Sequence, residues 1–579
     1  MAGFVARQLT RSLRLHPGIA RQLSNSVQPQ CNQRLHNDMH PNVLKSDYPD
    51  IVVPEMPLHE FMFDQIAQYG KKICIECSVT GRSYSYDDMV NKSRNFGRAL
   101  RKKLKIQRND VICVLLPNVP EFPIAVMGTL AGGGVLTTMN PIYTPEEITR
   151  QLNDSGAKIL ITLSELYPVV KSAIGTSMPV ITINNKPETR TPEGTISFNE
   201  LADSVIDLPD LQDFDMSSIA LMPYSSGTTG MPKGVCLSHR NLLTNVMQVH
   251  APDINMLEQT QGDKQDIVPA ILPFFHIYGF TSLSCASMHV GAKIVTMTQF
   301  IPELYAKVLL QHKPTVLFVV PPIVIFLYAH PMITKKHLES VRVSISGAAP
   351  LGALDIIKFQ QKADTNIKVI QGYGLSESSP AVFIQPHREN TPHGSTGKIL
   401  PSTMVKILPV DDPNGEPLGP NQTGECYIKG GNVMERYHNR PKETEETLID
   451  GWLRTGDMFY YDENRNFFVT DRIKELIKVK GLQVPPAELE EILRDHPDVG
   501  DAAVIGIPHV ISGEVPRAYV VPKANKQINI DALNEYVNKK VAEYKRLEGG
   551  IEVIQAVPKN PSGKILRRQL KTAYLEANK

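Results

Sequence analysis

Residues 224–234 read YSSGTTGMPKG and follow a short apolar run at residues 219–222 that is typical of a buried strand. Glycine permits positive φ angles, so a glycine-rich turn after a strand lets several backbone N–H groups face one concavity. The side chains of Ser, Thr and Lys add further donors. The residues expected to hold phosphate oxygens are Ser225, Ser226, Gly227, Thr228, Thr229 and Lys233. The segment therefore predicts a polyphosphate-binding loop, although an ordinary surface linker has the same composition.

Three other phosphate-binding or hydrolytic signatures do not fit this chain. The loop is not a Walker A motif, which requires Gly-Lys-Ser/Thr, because Pro232 precedes Lys233. Residues 374–378 end in serine rather than in the glycine of a nucleophile elbow, and His59-Glu60 lacks the second histidine of a zinc-protease helix. Serine hydrolase and zinc protease activities are thereby excluded.

Strand-like and helix-like segments alternate on both sides of the loop. The strand-like runs lie at residues 111–116, 158–163, 180–183, 293–297, 316–320 and 341–346, and helix-like runs at residues 145–155 and 302–311. Strands that alternate with helices predict parallel sheets covered by helices. We therefore expect an α/β fold with a large N-terminal domain of helix-covered sheets.

The pattern changes near residue 401, where short strands are separated by turn clusters such as residues 411–415 and 430–432. This predicts a small β-barrel-like subdomain at about residues 401–470. Beyond it the chain is rich in lysine and again alternates helix with strand. We expect an N-terminal domain at residues 38–472 and a smaller α+β domain at residues 473–579.

The charge balance limits the partners of the protein. The 61 basic and 60 acidic side chains nearly cancel, so no overall positive field favours nucleic acid. The longest strongly apolar run, residues 315–329, is too short to span a bilayer and contains Pro321 and Pro322, so it predicts buried core. Peripheral membrane contact stays open, and the sequence does not indicate the oligomeric state. Scattered cysteines, including a lone pair at Cys74 and Cys77, predict packed thiols.

The N-terminus has the composition of a targeting segment. Residues 1–37 contain five arginines and no acidic residue, with serine and leucine interspersed. A mitochondrial presequence is the predicted function, and a disordered basic tail is the alternative. The chain ends in Glu576-Ala577-Asn578-Lys579, which differs from a Ser-Lys-Leu peroxisomal signal. We expect a mitochondrial protein, with cytoplasmic and peroxisomal locations as alternatives.

Further motifs follow the loop in a fixed order. They are QGYGLSE at residues 371–377, GWLRTGD at 451–457, DRIKELIK at 471–478 and PSGK at 561–564. Together with the loop they resemble the signatures of the adenylate-forming superfamily, over essentially all of the chain after the presequence. SGAAPLG at 346–352 and FHIY at 275–278 are most similar to coumarate-CoA ligases and luciferase-like relatives.

The resemblance implies an ATP-dependent, AMP-forming ligase that converts a carboxylic acid to an acyl-adenylate and then to a CoA thioester. ATP, CoA and Mg²⁺ are the implied cofactors. A carboxylate that attacks the α-phosphate of ATP approaches another anion, so cations are needed where charge gathers. By resemblance Lys564 bridges the attacked phosphate and the acid, Lys233 holds the departing pyrophosphate, and Glu377 supports Mg²⁺.

The same resemblance implies the nucleotide pocket. Gln371, Gly372 and Tyr373 are expected to surround the adenine, and Ser376 to reach the phosphate. Asp457 is expected to accept hydrogen bonds from both ribose hydroxyls, with support from Arg472.

A second set of residues is implied for the thioester step. In the family the C-terminal domain pivots at a hinge, here residues 471–474 including Lys474, and exchanges the face that carries Lys564 for another face. The residues expected on that other face, which meets CoA, are Lys478, Lys480, Gly481 and Gln483. Gln299 departs from the pattern, because many coumarate ligases carry a CoA-contacting lysine near this position.

The acid pocket is expected to be bordered by His276, Ile277, Tyr278, Gly347, Ala348 and Ser379. For the acid itself we expect a medium- or long-chain fatty acid, from the mitochondrial-type leader and the luciferase-like resemblance. The alternatives are an aryl-propenoic acid of the coumarate type, and a non-catalytic acyl- or nucleotide-binding protein. A non-catalytic protein predicts loss of Lys564 or Asp457, and both are present.

Overall fold

The computed structural model describes residues 40–176, 178–186, 188–225, 232–364, 366–479, 482–509, 511–561 and 563–578. The predicted presequence lies outside the described residues. So do Ser226, Gly227, Thr228 and Thr229 of the phosphate loop, and Lys480 and Gly481. The backbone of Gln483 is described, but its side chain is not.

The first sheet of the N-terminal domain has at one edge the two strands that flank the predicted phosphate loop. Its strands, in spatial order, are Tyr224–Ser225, Lys233–Ser238, Ile219–Leu221, Val135–Thr138, Val111–Leu115, Ile159–Leu163, Val180–Ile183 and Ile196–Ser197, and Arg436–Tyr437 pairs with Lys233–Ser238. Val111–Leu115 pairs in parallel with both of its neighbours. The helices of this part are Leu58–Ile66, Tyr86–Lys103, Phe122–Ala131, Pro145–Ser155, Tyr167–Ile174, Phe198–Ala202 and His239–Val249.

The helix Pro145–Ser155 shows how local sequence determines an element. Thr144 and Glu147 form a capping box, in which the Thr144 hydroxyl accepts from the Glu147 N–H and the Glu147 carboxylate accepts from the Thr144 N–H. Pro145 occupies the first turn, where its missing N–H costs nothing. Gly156 ends the helix with a left-handed φ of 66°. All three signals are local, and the predicted and observed bounds agree.

Two further sheets complete the N-terminal domain. One has the order Val316–Val319, Val343–Ser346, Lys368–Gly374, Ala381–Ile384, Lys398–Ile399, and the other has the order Ile267–Ala270, Lys293–Thr296, Ile73–Cys77, Ser83–Ser85. Their helices are Tyr278–Cys285, which has π geometry, and Ala286–His289, Pro302–His312, Pro321–Ala329, Lys335–Leu338 and Ala353–Ala363. In each sheet the first three strands pair in parallel, as the alternating pattern predicts, and the remaining strands pair antiparallel.

The β-rich segment forms its own sheet. Its strands are Leu44–Lys45, Thr403–Leu408, Gly424–Gly430, Trp452–Tyr461 and Leu448–Ile449 in spatial order, with Phe467–Arg472 on Trp452–Tyr461, and a short helix spans Pro441–Thr447. Leu44–Lys45 comes from the start of the described chain and pairs with Thr403–Leu408 across about 360 positions. The sequence offered no signal for that long-range pairing.

After Arg472 the chain enters a separate C-terminal sheet. Its strands are Leu482–Val484, Ile477–Val479, Gly513–Pro522 and Val499–His509, with Ile551–Val553 on Gly513–Pro522, and its helices are Pro486–Arg494, Ile530–Asn538 and Arg567–Ala577. The expected architecture of a large α/β domain followed by a smaller α+β domain is confirmed.

One expectation about the core is confirmed only in part. The apolar run at residues 315–329 is not uniformly buried: the strand Val316–Val319 is, but only Val324 and Leu327 of the helix Pro321–Ala329 are. A run without periodicity does not show which helix face packs inward. Cys74 and Cys77 are buried free thiols, as expected. Among the described residues, no helix is both long and apolar enough to cross a bilayer.

Candidate active site

A cavity of about 910 Å³ lies where the sheets of the N-terminal domain, the β-rich subdomain and the C-terminal domain meet. Most residues singled out from the sequence line it. These are Ser225, Lys233, His276, Ile277, Tyr278, Gly347, Ala348, Gly372, Tyr373, Ser376, Glu377, Asp457, Arg472, Lys474 and Lys564. Residues more than 300 positions apart in the chain therefore converge on one concave site, which is the usual shape of a small-molecule site.

At one end, strand pairing places a carboxylate beside a guanidinium. Trp452–Tyr461 and Phe467–Arg472 pair antiparallel with Asp457 opposite Arg472. Arg472 Nε lies 3.2 Å from Asp457 Oδ1, and the Tyr373 hydroxyl donates to Asp457 Oδ2 over 2.6 Å. Burial raises the pKa of the Asp457 carboxyl, and Arg472 and Tyr373 oppose that rise. Asp457 is thus a fixed bidentate acceptor, the group that two vicinal hydroxyls of a ribose require.

Lys564 reaches this end from a tight turn of the C-terminal domain. The Lys564 N–H donates to Asn560 Oδ1 over 2.8 Å, and Gly563 adopts a φ of +80°. A Cβ at Gly563 would come within 3.2 Å of Val320 Cγ2 in the N-terminal domain, so the close approach of the turn favours glycine there. Burial, with the nearby cation Arg472, lowers the pKa of Lys564 to about 8.

Ion pairs and a hydrogen bond of buried charged residues hold the segment that leads into the C-terminal domain in place. Arg567 is bidentate to Glu490, with Nη2 2.7 Å from Oε2 and Nε 3.0 Å from Oε1, and it also pairs with Glu475. Asp471 accepts from the N–H of Ala487 over 3.1 Å, and burial raises the pKa of Asp471 to about 7. These contacts hold the first helix of the C-terminal domain against the end of the β-rich subdomain.

Glu377 lies near the start of the phosphate loop. Its Oε1 accepts from the Tyr437 hydroxyl over 2.8 Å and from Ser225 Oγ over 3.3 Å. Glu377 lines the cavity, and no further side-chain hydrogen bond to its carboxylate is found in the described part of the chain. Lys233 Nζ lies 5.1 Å from the centre of the Tyr437 ring, within cation–π range.

This arrangement fits Mg²⁺ held chiefly by water and phosphate. No cluster of three or more potential protein ligands occurs among the described residues. Mg²⁺ commonly uses one or two carboxylates together with substrate phosphates, and Glu377 can supply one. When bound with ATP, the ion neutralises phosphate charge.

The other end of the cavity is more apolar and contains His276 and Tyr278. Burial lowers the pKa of His276 to about 4, so the ring is neutral near pH 7. Its Nδ1 accepts from the Tyr278 N–H over 3.2 Å, which puts the ring proton on Nε2. The Tyr278 hydroxyl donates to the Ile345 carbonyl over 3.3 Å, and a Cβ on Gly347 would lie 3.2 Å from the Tyr278 ring. His276 is therefore a neutral donor at the wall of the pocket.

Among the expected site residues whose side chains the structure describes, three do not line the cavity. Gln371 is buried behind it, where its Oε1 accepts from the Leu351 N–H over 2.9 Å. Ser379 is fully buried, with φ at 72°. Lys478 is exposed on the strand Ile477–Val479 of the C-terminal sheet, away from the cavity. The face of the C-terminal domain presented to the cavity is thus the one that carries Lys564.

The structure adds residues that the sequence motifs did not indicate. Tyr437 reaches Glu377 and Lys233 because Arg436–Tyr437 pairs with the strand Lys233–Ser238. At the apolar end the cavity is also lined by Val249, His250, Asn255, Met256, Leu257, Ser282, Ala286 and Phe318. These positions come from separate segments without a recognisable spacing, so the sequence carried no signal for them.

Comparison with known families identifies the chain. The model for AMP-binding enzymes matches residues 62–438, and the model for the AMP-binding enzyme C-terminal domain matches residues 488–564. The chain belongs to the AMP-binding enzyme family. The expected relationship to the adenylate-forming superfamily is thereby confirmed.

Curated relatives of this AMP-binding enzyme match over nearly their full length. 4-Coumarate:CoA ligase 1 of Petunia hybrida is 38% identical over 540 residues, which cover 91% of this chain and 96% of the relative. The probable 4-coumarate–CoA ligase 1 of Dictyostelium discoideum is 37% identical and covers 91% and 97%. The protein is accordingly an AMP-forming CoA ligase that uses ATP and proceeds through an adenylate.

Solved structures show the same architecture. ATP-bound MatB from Rhodopseudomonas palustris superposes with a TM-score of 0.80 at 24% identity, covering 90% of this chain and 100% of that one. The o-succinylbenzoate CoA synthetase of Bacillus subtilis in complex with its acyl-adenylate gives 0.74 at 27% identity, covering 90% and 99%. The fold is that of adenylate-forming enzymes.

The residues of the cavity can perform the first half-reaction as follows. Asp457 and Arg472 would hold the ribose of ATP, with the α-phosphate toward the Lys564 turn. The Lys564 ammonium would offset the repulsion between the incoming carboxylate and the phosphate and stabilise the charge that gathers in the transition state. Lys233, at the end of the loop, would hold the departing pyrophosphate.

Proposed function

We propose that the acid activated by this ligase is an aryl-propenoic acid of the coumarate type. The observation that carries the proposal is the 37–38% identity to coumarate-CoA ligases over 91% of the chain, a span that includes every segment lining the acid end of the cavity. The fatty-acid preference expected from the sequence has no comparable support among these relatives.

The composition of the acid end is compatible with a phenolic ring. Aromatic and aliphatic walls, including Phe318, surround a few polar groups. The Ser282 hydroxyl makes no hydrogen bond within the described residues, and Asn255 uses only its Oδ1, to accept from the Leu257 N–H over 3.0 Å. A saturated alkyl chain would leave these groups without partners, whereas a ring hydroxyl offers both a donor and an acceptor.

A panel of acids tests the substrate. The purified enzyme with Mg²⁺, ATP and CoA is assayed with 4-hydroxycinnamate, cinnamate and straight-chain acids of eight to sixteen carbons. We expect kcat/KM for 4-hydroxycinnamate to exceed that for each straight-chain acid by at least about 10-fold. Higher kcat/KM values for the straight-chain acids would refute this proposal and favour a fatty acid as the substrate.

We also propose that the two half-reactions use alternate faces of the C-terminal domain. The support is that Lys564 lies at the cavity while Lys478 is exposed elsewhere, so the two lysines do not serve the same site in one arrangement. Lys478→Ala should slow thioester formation from a supplied acyl-adenylate and leave adenylate formation nearly unchanged. Equal losses in both half-reactions would refute the alternation.

We propose a mitochondrial location, supported by the arginine-rich, acid-free composition of residues 1–37. A fluorescent protein fused behind these residues should enter mitochondria. A matched fusion in which the five arginines are replaced by glutamine should remain in the cytosol. Cytosolic fluorescence from the unaltered leader would refute the proposal.

A further inference from the structure

One wall of the acid end of the cavity runs along two consecutive helices. Tyr278, Ser282 and Ala286 line the cavity at intervals of four residues along the consecutive helices Tyr278–Cys285 and Ala286–His289. At up to ~1.5 Å per residue, Ala286 lies on the order of 10 Å further along this wall than Tyr278. Tyr278 is only partly buried, whereas Ala286 is 3% exposed, so Ala286 marks the deep end of this wall.

An irregular segment lies at this deep end. His250 Nε2 is 3.1 Å from the Ala286 carbonyl, and from His250 the chain continues into residues 254–258, which we call the floor loop. Met256 and Leu257 of the floor loop are buried and line the cavity. The position of this loop therefore sets how far an acid can extend.

A loop without helix or sheet bonds needs other contacts to hold its backbone. Two of these come from one ion pair that does not itself line the cavity. Arg342 Nη1 donates to the Met256 carbonyl over 2.7 Å, and the Glu258 N–H donates to Asp266 Oδ2 over 2.7 Å. Arg342 Nη2 lies 2.6 Å from the same Asp266 oxygen.

The ion pair is anchored in the parallel sheets. Asp266 is only 4% exposed, and its Oδ1 accepts from the Thr315 hydroxyl over 2.7 Å. It directly precedes the strand Ile267–Ala270, and Arg342 directly precedes the strand Val343–Ser346. Two sheet strands thus hold the carboxylate and the guanidinium, and the pair in turn holds the floor loop on both sides of Leu257.

We propose that the Asp266–Arg342 ion pair determines the length of acid that this ligase accepts. The pair acts as a positioning device: neither residue touches the substrate, but together they fix the carbonyl and the N–H that flank the cavity-lining part of the floor loop. The inference rests on the proposed function in one respect: the acid must bind at the end of the cavity that the floor loop lines. It holds for an aryl or an alkyl acid alike.

The test uses Asp266→Asn and a matched control, Glu121→Gln. The asparagine amide keeps the size of the carboxylate but cannot accept from both Glu258 N–H and Arg342 through one anionic oxygen. Glu121 is likewise a buried carboxylate that is bidentate to an arginine, Arg82, with contacts of 2.5 and 3.0 Å, and it does not line the cavity. Both changes weaken a buried pair, but only the first frees the floor loop.

Two acid series are measured with each protein: cinnamic acids with 4-hydroxy, 4-methoxy, 4-ethoxy and 4-propoxy groups, and straight-chain acids of six to sixteen carbons. In the series that the wild-type enzyme uses better, the best acid is compared with the acid two carbons longer. Asp266→Asn should raise the ratio of kcat/KM for the longer acid to kcat/KM for the best acid by at least about 5-fold. The change should appear mainly in KM for the acid. KM for ATP should stay within about twofold, and Glu121→Gln should keep the wild-type selectivity.

Unchanged selectivity in folded Asp266→Asn protein would overturn the proposal. If that variant does not fold, Arg342→Lys carries the same test, since lysine keeps the charge but loses the planar reach to both Asp266 and the Met256 carbonyl. Met256→Ala serves as a positive reference that enlarges the floor directly. If Met256→Ala changes the selectivity for acid length and Asp266→Asn does not, the floor loop limits the length of the acid but the ion pair does not control it, and the proposal is refuted. Failure of wild-type enzyme with every cinnamic acid would refute the proposed substrate alone.

Discussion

The two ends of the cavity are constructed differently. At the nucleotide end, Arg472 and Tyr373 both contact Asp457 directly, and Asp457 and Arg472 lie opposite each other on paired strands. At the acid end, the lining side chains come from several loops and helices, and their backbone is held from behind, as by Arg342 at Met256. Substitutions at the nucleotide end should therefore reduce catalysis for all acids, whereas those at the acid end should change which acid reacts.

The largest effect is expected at Lys564. Lys564→Ala removes the cation that faces the attacked phosphate, so adenylate formation, followed by pyrophosphate exchange into ATP, should fall by roughly 10³-fold. Thioester formation from supplied acyl-adenylate should fall far less. Lys559→Ala is the control, because Lys559 lies on the same turn but pairs with Asp501 at 2.6 Å. Comparable losses in the two half-reactions would show that Lys564 does not act specifically in adenylate formation.

A smaller loss is expected at the ribose site. Asp457→Asn exchanges a bidentate anion for an amide, and kcat/KM for ATP should fall by about 10²-fold, with the relative preference among acids unchanged. Asp462→Asn, in the turn that follows the same strand, should behave as wild type. An altered preference among acids would show that the two ends are not independent.

Tyr437→Phe should act through Glu377. It removes the 2.8 Å hydrogen bond to the carboxylate but keeps a ring beside Lys233. Because outer contacts orient a metal-supporting carboxylate, the Mg²⁺ concentration for half-maximal rate should rise by about 10-fold. Tyr461→Phe, which loses a hydrogen bond to the Leu418 carbonyl in the same subdomain, controls for a general effect. An unchanged Mg²⁺ requirement would contradict the role of Glu377 in supporting the metal.

The smallest effect is a pH dependence. The pKa of Lys564 lies below its usual value, at about 8, so its ammonium is present below that pH and is lost as the pH rises through it. Between pH 7 and pH 8, kcat/KM for adenylation should fall by roughly twofold. Lys564→Arg, slower overall, should lack this decline because its guanidinium stays charged. The same decline in Lys564→Arg would assign the titration to another group.

Short-range patterns in the amino-acid sequence indicated most of the residues that the structure brings together at the nucleotide end. Glycine-rich turns, a carboxylate after a turn and a lysine after Ser-Gly are contiguous signals, and the alternating strand and helix pattern predicted the parallel sheets. Gln371 and Ser379 show the limit of that reasoning. Their motifs run along the cavity, but whether a given side chain faces it depends on strand pairing and backbone angles.

Apart from the residues of the FHIY and SGAAPLG motifs, the lining of the acid end depended on tertiary structure. Asp266 meets Arg342 because Thr315 hydrogen-bonds to Ile267 and to Arg342, at the starts of strands in two different sheets. At the phosphate-loop end, Tyr437 likewise meets Glu377 through a strand pairing across about 200 residues. Such contacts are set by packing between distant segments, and no local spacing encodes them. The sequence by itself determined the reaction class, through side chains that must contact a nucleotide of constant shape. The shape of the acid site was decided only by how separate loops are held together.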